Sequence, residues 1–176
     1  MKNSDLLKFI GLVGRLKKIK RKGWLKRKIP NPESVAEHSF RTSILALILA
    51  KKLGIEKGGK FLKMALIHDL GEALVGDIAP NEEKSNRKRA LEGKAFAKLS
   101  SLLENEEKKE ILDLWREFEE GKSKEARLVR ELDKLEMAIQ AKEYEREYSM
   151  DLKEFVDSAK KRIKNNELKK ILEKFL

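Results

Sequence analysis

Residues 65–80 read ALIHDLGEALVGDIAP. The apolar run Ala65-Leu66-Ile67 passes straight into His68-Asp69; Glu72 follows three residues later and Asp77 five after that. Burying an imidazole or a carboxylate beside such a run is costly unless it is paired or holds a metal. The chain's one other histidine is His38, just after Glu37. A further carboxylate lies downstream in ARLVRELDKLEMAIQA, where Leu128, Val129, Leu132, Leu135 and Ile139 share a helical face. Asp133 borders that face, one turn after Val129 and one before Met137. It either turns inward from a core helix or pairs with Arg130 or Lys134.

Two imidazoles and two carboxylates make an N₂O₂ set for one divalent ion (Mn, Fe, Co, Ni or Zn), and such a set discriminates poorly among them. An ion held this way lowers the pKa of bound water and polarises a phosphoryl oxygen. Glu72, one helical turn from His68 and Asp69, stands where a base acting on that water would stand. Asp77, in the loop that follows, can fold back over the site. The bland alternative is a pair of structural histidines on apolar helices.

These residues need helices to position them. Leu6, Phe9, Ile10, Val13 and Leu16 fall at helical spacing. RKGWLKRKIPNP interrupts with Gly23, Pro30 and Pro32. Ser34 and Glu37 form a capping-box pair opening a helix to about Leu53, with Gly54 at its C-terminal end. The pattern predicts further helices over about Lys60–Ala73, Glu83–Leu103, Glu106–Glu119, Ser123–Glu147, Asp151–Lys164 and Asn166–Phe175, with LVGDIAPNEE as loop. No strand alternation or repeat appears. The expectation is an all-α bundle of roughly seven to eight helices, residues 1–176 forming a single domain.

Composition narrows the function. There is no cysteine, which excludes disulfides and thiolate metal sites. The longest apolar run, Ile44–Ala50, is too short to span a bilayer. Lys8 breaks the N-terminal apolar stretch where a signal peptide would need continuity, so the cytoplasm is the expected location. The net charge of +11 points to an anionic partner or to the solvated Lys/Glu surface of a heat-adapted protein. Most of the charge reads as surface. The exception is RLKKIKRKGWLKRK, residues 15–28, nine of whose fourteen residues are basic.

The pattern H…HD…D on an all-helical chain resembles the HD-domain metal-dependent phosphohydrolases. PESVAEHSFR, ALIHDLGEALVGDIAP and ELDKLEMAIQA resemble the corresponding blocks of their 5′-deoxynucleotidase group, over about Leu6 to Ala141. The resemblance implies an HD-domain bundle, metal ligation by His38, His68, Asp69 and Asp133, water activation by Glu72 and assistance from Asp77. It implies that Arg21 contacts the substrate phosphate and that Trp24 packs near the sugar, disfavouring a 2′-hydroxyl. In some members these two residues are adjacent; here Lys22 and Gly23 intervene. Trp24 also reads as a core or interface residue. An apolar wall rejects an added hydroxyl by only about 10².

The expected reaction is hydrolysis of (deoxy)nucleoside 5′-monophosphates by an enzyme with one divalent metal ion, homodimeric as family members typically are. After His38 and His68 no histidine remains for a dinuclear site. A guanosine-tetraphosphate-type pyrophosphohydrolase shares the ligand set but usually carries Glu-Asp soon after HD. A basic nucleic-acid-binding module would explain residues 15–28, but the run lacks the interleaved aromatics of a stacking surface. No membrane partner is expected.

Overall fold

The computed structural model describes residues 2–56, 58–78 and 85–176, with the backbone alone at 85, 86 and 88. Its helices are α1 (Asn3–Gly14), α2 (Lys22–Lys26), α3 (Val35–Leu49), α4 (Gly58–Ile67), α5 (Glu72–Val75), α6 (Ser85–Ser100), α7 (Asn105–Glu120), α8 (Lys124–Tyr148), α9 (Lys153–Arg162) and α10 (Asn166–Phe175). Eight of these are ten residues or longer, and no strand occurs among the described residues. The fold is all-α. Among the described residues, no helix is long and apolar enough to cross a membrane.

The long helix α8 is the spine. It packs against α3, α4, α7, α9 and α10. Its Val129, Leu132, Leu135 and Ala138 are fully buried against Phe61, Met64 and Ala65 of α4, Ala46 of α3, Ala159 of α9 and Leu168 of α10. Each large apolar side chain so buried contributes about 1.5–3 kcal/mol. A second apolar cluster gathers Leu16, Val35, Leu70, Ala73, Phe96 and Leu99. Ile67, the last residue of α4, packs against both clusters. The site residues that follow Ile67 therefore leave from a point anchored on two sides.

Three local outcomes differ from the sequence pattern. The break before α3 contains α2, whose first turn is held by Asp77: its Oδ2 accepts the Lys22 backbone N–H at 2.6 Å. Regular helix in α3 ends at Leu49, although Leu53 N–H still reaches the Leu49 carbonyl, and the chain turns at Gly54 with φ +66°. The predicted helix over 60–73 stops at Ile67. From there the amides of Leu70, Glu72, Ala73 and Leu74 each bond three residues back, a tighter winding that leads into α5. Gly71 permits it, since a Cβ there would sit 2.9 Å from the buried ring of Phe96. The expected helix start at Glu83 and the breaker Pro80 lie outside the described residues.

Candidate active site

Helix α3 begins with the expected capping box. Ser34 Oγ accepts the Glu37 N–H at 3.2 Å, and Glu37 Oε2 accepts the Ser34 N–H at 2.6 Å. This places His38 in the first turn, fully buried and facing α8. Two carboxylates one turn apart on α8 address its two ring nitrogens. Asp133 Oδ1 lies 3.2 Å from Nε2, and Glu136 Oε2 lies 2.5 Å from Nδ1.

The second imidazole enters from the end of α4. The network assigns its proton: His68 Nδ1–H donates to the Ala65 carbonyl at 2.7 Å, leaving Nε2 to face Asp69 Oδ2 at 3.3 Å. Asp69 Oδ2 is also 3.7 Å from His38 Nε2. Donor atoms of His38, His68 and Asp69 all lie within 4.8 Å of one another. Both Nε2 atoms are buried, and neither has a hydrogen bond of good geometry. Imidazole nitrogens left bare and held from behind by acceptors on Nδ1, converging on carboxylates, fit a divalent ion.

Asp133 shows both sides of its expected character. Oδ1 faces His38, while Oδ2 pairs with Lys134 Nζ at 2.9 Å. Arg130 goes elsewhere, donating to the carbonyls of Phe118 and Glu119.

Arg21 reaches the same point by another route. The Arg21 N–H donates to the Glu33 carbonyl and the Val35 N–H to the Ile19 carbonyl, with a bridge between Lys20 and Ser34. This short pairing lays the Arg21 segment against the start of α3. Arg21 Nη1 then donates to Asp69 Oδ2 at 3.1 Å, and Nη2 lies 3.8 Å from Asp133 Oδ1. Burial pulls the Arg21 pKa down, but Asp69, Asp133, Asp77 and Glu72 outweigh it and keep the guanidinium charged. Burial likewise pushes the Asp69 and Asp133 carboxyls up. His68, Arg21 and His38 outweigh it at Asp69, Lys134, His38 and Arg21 at Asp133, and both stay far below the usual carboxylate range.

Glu72 opens α5 almost fully buried, and Asp77 lies buried just beyond it. Through its bond to Lys22 N–H, Asp77 ties the loop after α5 to the Arg21 segment. Trp24 lies in the core at 2% exposure. Its ring packs on Phe155 and edge-on to Tyr144, and its indole N–H donates to Glu33 Oε1 at 2.9 Å. Thus His38, His68 and Asp69 converge directly, Asp133 meets this group at His38 Nε2, and Arg21 bridges Asp69 and Asp133. Trp24 stands behind, in contact with the residue that follows Pro32.

Sequence reasoning missed the layer behind His38. Glu136 is fully buried, and Arg41 Nε donates to its Oε1 at 2.8 Å. Glu33 is buried too. Burial and the charge of Glu136 push its carboxyl up to about 7. Glu33, His38 and Glu136 themselves bring donor atoms within 4.8 Å. That trio is committed to Trp24, His38 and Arg41. One signal was legible: Glu136 interrupts the apolar face of α8 beside Leu132 and Leu135, one turn after Asp133.

The pattern that defines the HD domain family matches residues 13–174. The 5′-deoxynucleotidase HDDC2 of Dictyostelium discoideum is 41% identical over 169 residues, covering 89% of this chain and 89% of that protein. Among solved structures, a conserved hypothetical protein from Pyrococcus furiosus superposes with TM-score 0.80 at 40% identity, covering 96% of this chain and 98% of that one. A predicted metal-dependent phosphohydrolase from Magnetospirillum magnetotacticum MS-1 superposes with TM-score 0.78 at 27% identity, covering 99% of this chain and 90% of that one.

Proposed function

The chain belongs to the HD domain family, and on that premise we propose that it is a metal-dependent phosphomonoesterase. Its substrates are (deoxy)nucleoside 5′-monophosphates, and its products are a nucleoside and inorganic phosphate. The observation that carries this reading is the convergence of two bare, buried imidazole nitrogens and two ionised carboxylates beneath a charged arginine. The names of the relatives supply the substrate class.

His38, His68, Asp69 and Asp133 would hold one divalent ion, of an identity among Mn, Co, Fe, Ni and Zn that the donor set leaves open. When bound, such an ion withdraws charge from a phosphoryl oxygen and lowers the pKa of water beside it. The remaining steps fall to the chain. Arg21 orients the phosphate dianion through charge-assisted hydrogen bonds. Glu72 takes a proton from the attacking water as the new bond to phosphorus forms. The bond from phosphorus to the 5′-oxygen breaks, and the leaving oxygen takes up a proton, for which Asp77 is the relay. Trp24, packed in the core, bears on the sugar only as a wall behind Arg21, and a deoxyribose preference built on it stays at about 10² or less.

The exposed basic residues around α2 raise the local potential and steer anionic nucleotides. We read residues 1–176 as one unit, since Ile67 joins the two apolar clusters. A homodimer is also part of this reading. It is supported by an apolar stripe on the outer face of α3, where Phe40, Ile44, Leu47 and Ile48 are exposed. Sedimentation of the wild type beside Ile48→Lys checks it, with a monomeric wild type as the contrary result.

The test of the activity is phosphate release from 5′-dNMPs, 5′-NMPs, 3′-dNMPs and guanosine tetraphosphate. Each is run metal-stripped and with Mn, Co, Ni, Zn or Mg restored, beside Asp69→Ala. Metal-dependent release from 5′-monophosphates, lost in Asp69→Ala, is the expected result. Release of pyrophosphate from guanosine tetraphosphate alone would replace this reading with a pyrophosphohydrolase.

A further inference from the structure

We infer that Glu136, locked in place by Arg41, is the positioning residue that makes His38 a competent metal ligand. The inference rests on the metal-dependent reading above. Helices α3 and α8 cross with matched spacing. His38 and Arg41 are one turn apart on α3; Glu136, Gln140 and Glu143 recur every three or four residues on α8. All three α8 side chains engage Arg41. Nε donates to Glu136 Oε1 at 2.8 Å, Nη2 to Gln140 Oε1 at 2.6 Å and Nη1 to Glu143 Oε2 at 2.7 Å.

A guanidinium fixed at three points has one orientation. It pins Glu136 Oε1, and the carboxylate then has a single oxygen, Oε2, left for His38 Nδ1 at 2.5 Å. Three consequences follow. Glu136 holds the proton on His38 Nδ1, so Nε2, which faces Asp69 and Asp133, is the nitrogen left to serve a metal ion. A negative charge behind the ring strengthens that nitrogen as a donor. Glu136 itself cannot swing round and join the ligands. Asp133 lies one turn earlier on the same helix, so one element sets both a ligand and the support of another.

A structural ion pair between helices would predict lost stability and nothing more. The inference predicts a change at the metal. Metal-free wild type, Glu136→Ala, Glu136→Gln and Arg41→Met would be titrated with Co(II) against a chromophoric chelator, recording the ligand-field spectrum of each complex. Glu136→Ala is expected to lose 10–100-fold in Co(II) affinity and to shift the spectrum. Glu136→Gln keeps an acceptor for Nδ1–H and should recover much of the loss. Arg41→Met, whose side chain is already 32% exposed, should fold and fall between wild type and Glu136→Ala.

Wild-type affinity and spectrum in Glu136→Ala would overturn the inference. If that variant does not fold, the same result in Arg41→Met would overturn it. A wild type that binds no Co(II) would instead remove the metal-dependent reading beneath it.

Discussion

Replacing Arg21 should move two readouts in opposite directions. Arg21 approaches Asp69 at 3.1 Å and Asp133 at 3.8 Å, and all three side chains are 15–17% exposed. At an effective dielectric of about 20, the nearer pair attracts by roughly 5 kcal/mol before desolvation is counted. Arg21→Met keeps the length of the side chain and removes the charge. In the metal-free protein it leaves two ionised carboxylates undercompensated, a loss of the kind that costs about 3–5 kcal/mol for a buried pair. A divalent ion restores that compensation, so its binding should tighten. If about 2 kcal/mol of the loss is recovered, the gain in affinity is roughly 30-fold. The substrate responds the other way. A charge-assisted contact to phosphate contributes about 1.5–3 kcal/mol, so kcat/KM at saturating metal should fall by about 10- to 150-fold. Calorimetric titration with Mn(II) and steady-state phosphate release on the same preparation make the comparison. Metal affinity weakened together with kcat/KM would refute the charge argument. An unchanged kcat/KM at saturating metal would remove Arg21 from substrate binding.

The remaining predictions concern the base, the proton on His38 and the turn between α4 and α5. Glu72→Gln should lower kcat by about 10²–10⁴ with little change in Mn(II) affinity; a variant that keeps full turnover removes the base assignment. For His38, burial and Arg21 push the pKa down, yet Glu136 and Asp133 outweigh them and carry it to about 10. A folded pKa raised above the unfolded value of about 6.5 means stability fully present below that pH and lost as pH rises toward 10 in the metal-free protein. Metal binding must then displace a proton, so apparent affinity should rise with pH across that window. Titrations in buffers of different ionisation heat should detect the proton, and no release at neutral pH would contradict the assignment. Gly71→Ala forces a Cβ to 2.9 Å from Phe96, which is 1% exposed. Overpacking of this kind costs about 1–3 kcal/mol. A melting temperature equal to wild type would mean that the turn relaxes at no cost.

Much of the helical frame was legible because its signals are local. The Ser34–Glu37 capping box, the glycine at 54 and the apolar faces of α8 and α10 each act within a turn or two of chain. What the sequence hid is what depends on distant residues. The helix over 60–73 divides where His68 bonds back to Ala65 and where Phe96, more than twenty residues away, leaves no room for a Cβ at position 71. The first turn of α2 is bonded by Asp77, in a loop fifty-five residues on. His38, His68, Asp69 and Asp133 could be picked out as candidates from residue type, because a buried imidazole beside a carboxylate requires explanation, but their role as ligands came from the resemblance. Glu136 could not be named so easily. It interrupts the apolar face of α8, but the partners that explain it, Arg41 and His38, come from another helix.

The charges around the site give these contacts a common cause. Six acidic side chains, Glu33, Asp69, Glu72, Asp77, Asp133 and Glu136, gather near His38 and His68, with Arg21, Arg41 and Lys134 set among them. The chain as a whole carries +11, so this acidity is local and opposes the overall field. Each cation has a separate task. Arg41 offsets Glu136 behind His38, and Lys134 steadies Asp133 from its outer oxygen. Arg21 bridges Asp69 and Asp133, from where, on the proposed reading, it would meet the phosphate. An acidic site that must admit an anion needs its excess negative charge cancelled on that side. On the proposed reading, a divalent ion on the four residues and a guanidinium on the same two aspartates would do this together. With both absent, the phosphate would meet uncompensated carboxylates; with the ion alone, their charge is offset but no guanidinium is left to hold the phosphate. That is why the loss of Arg21 should be felt most by the substrate, and the loss of Glu136 most by the metal.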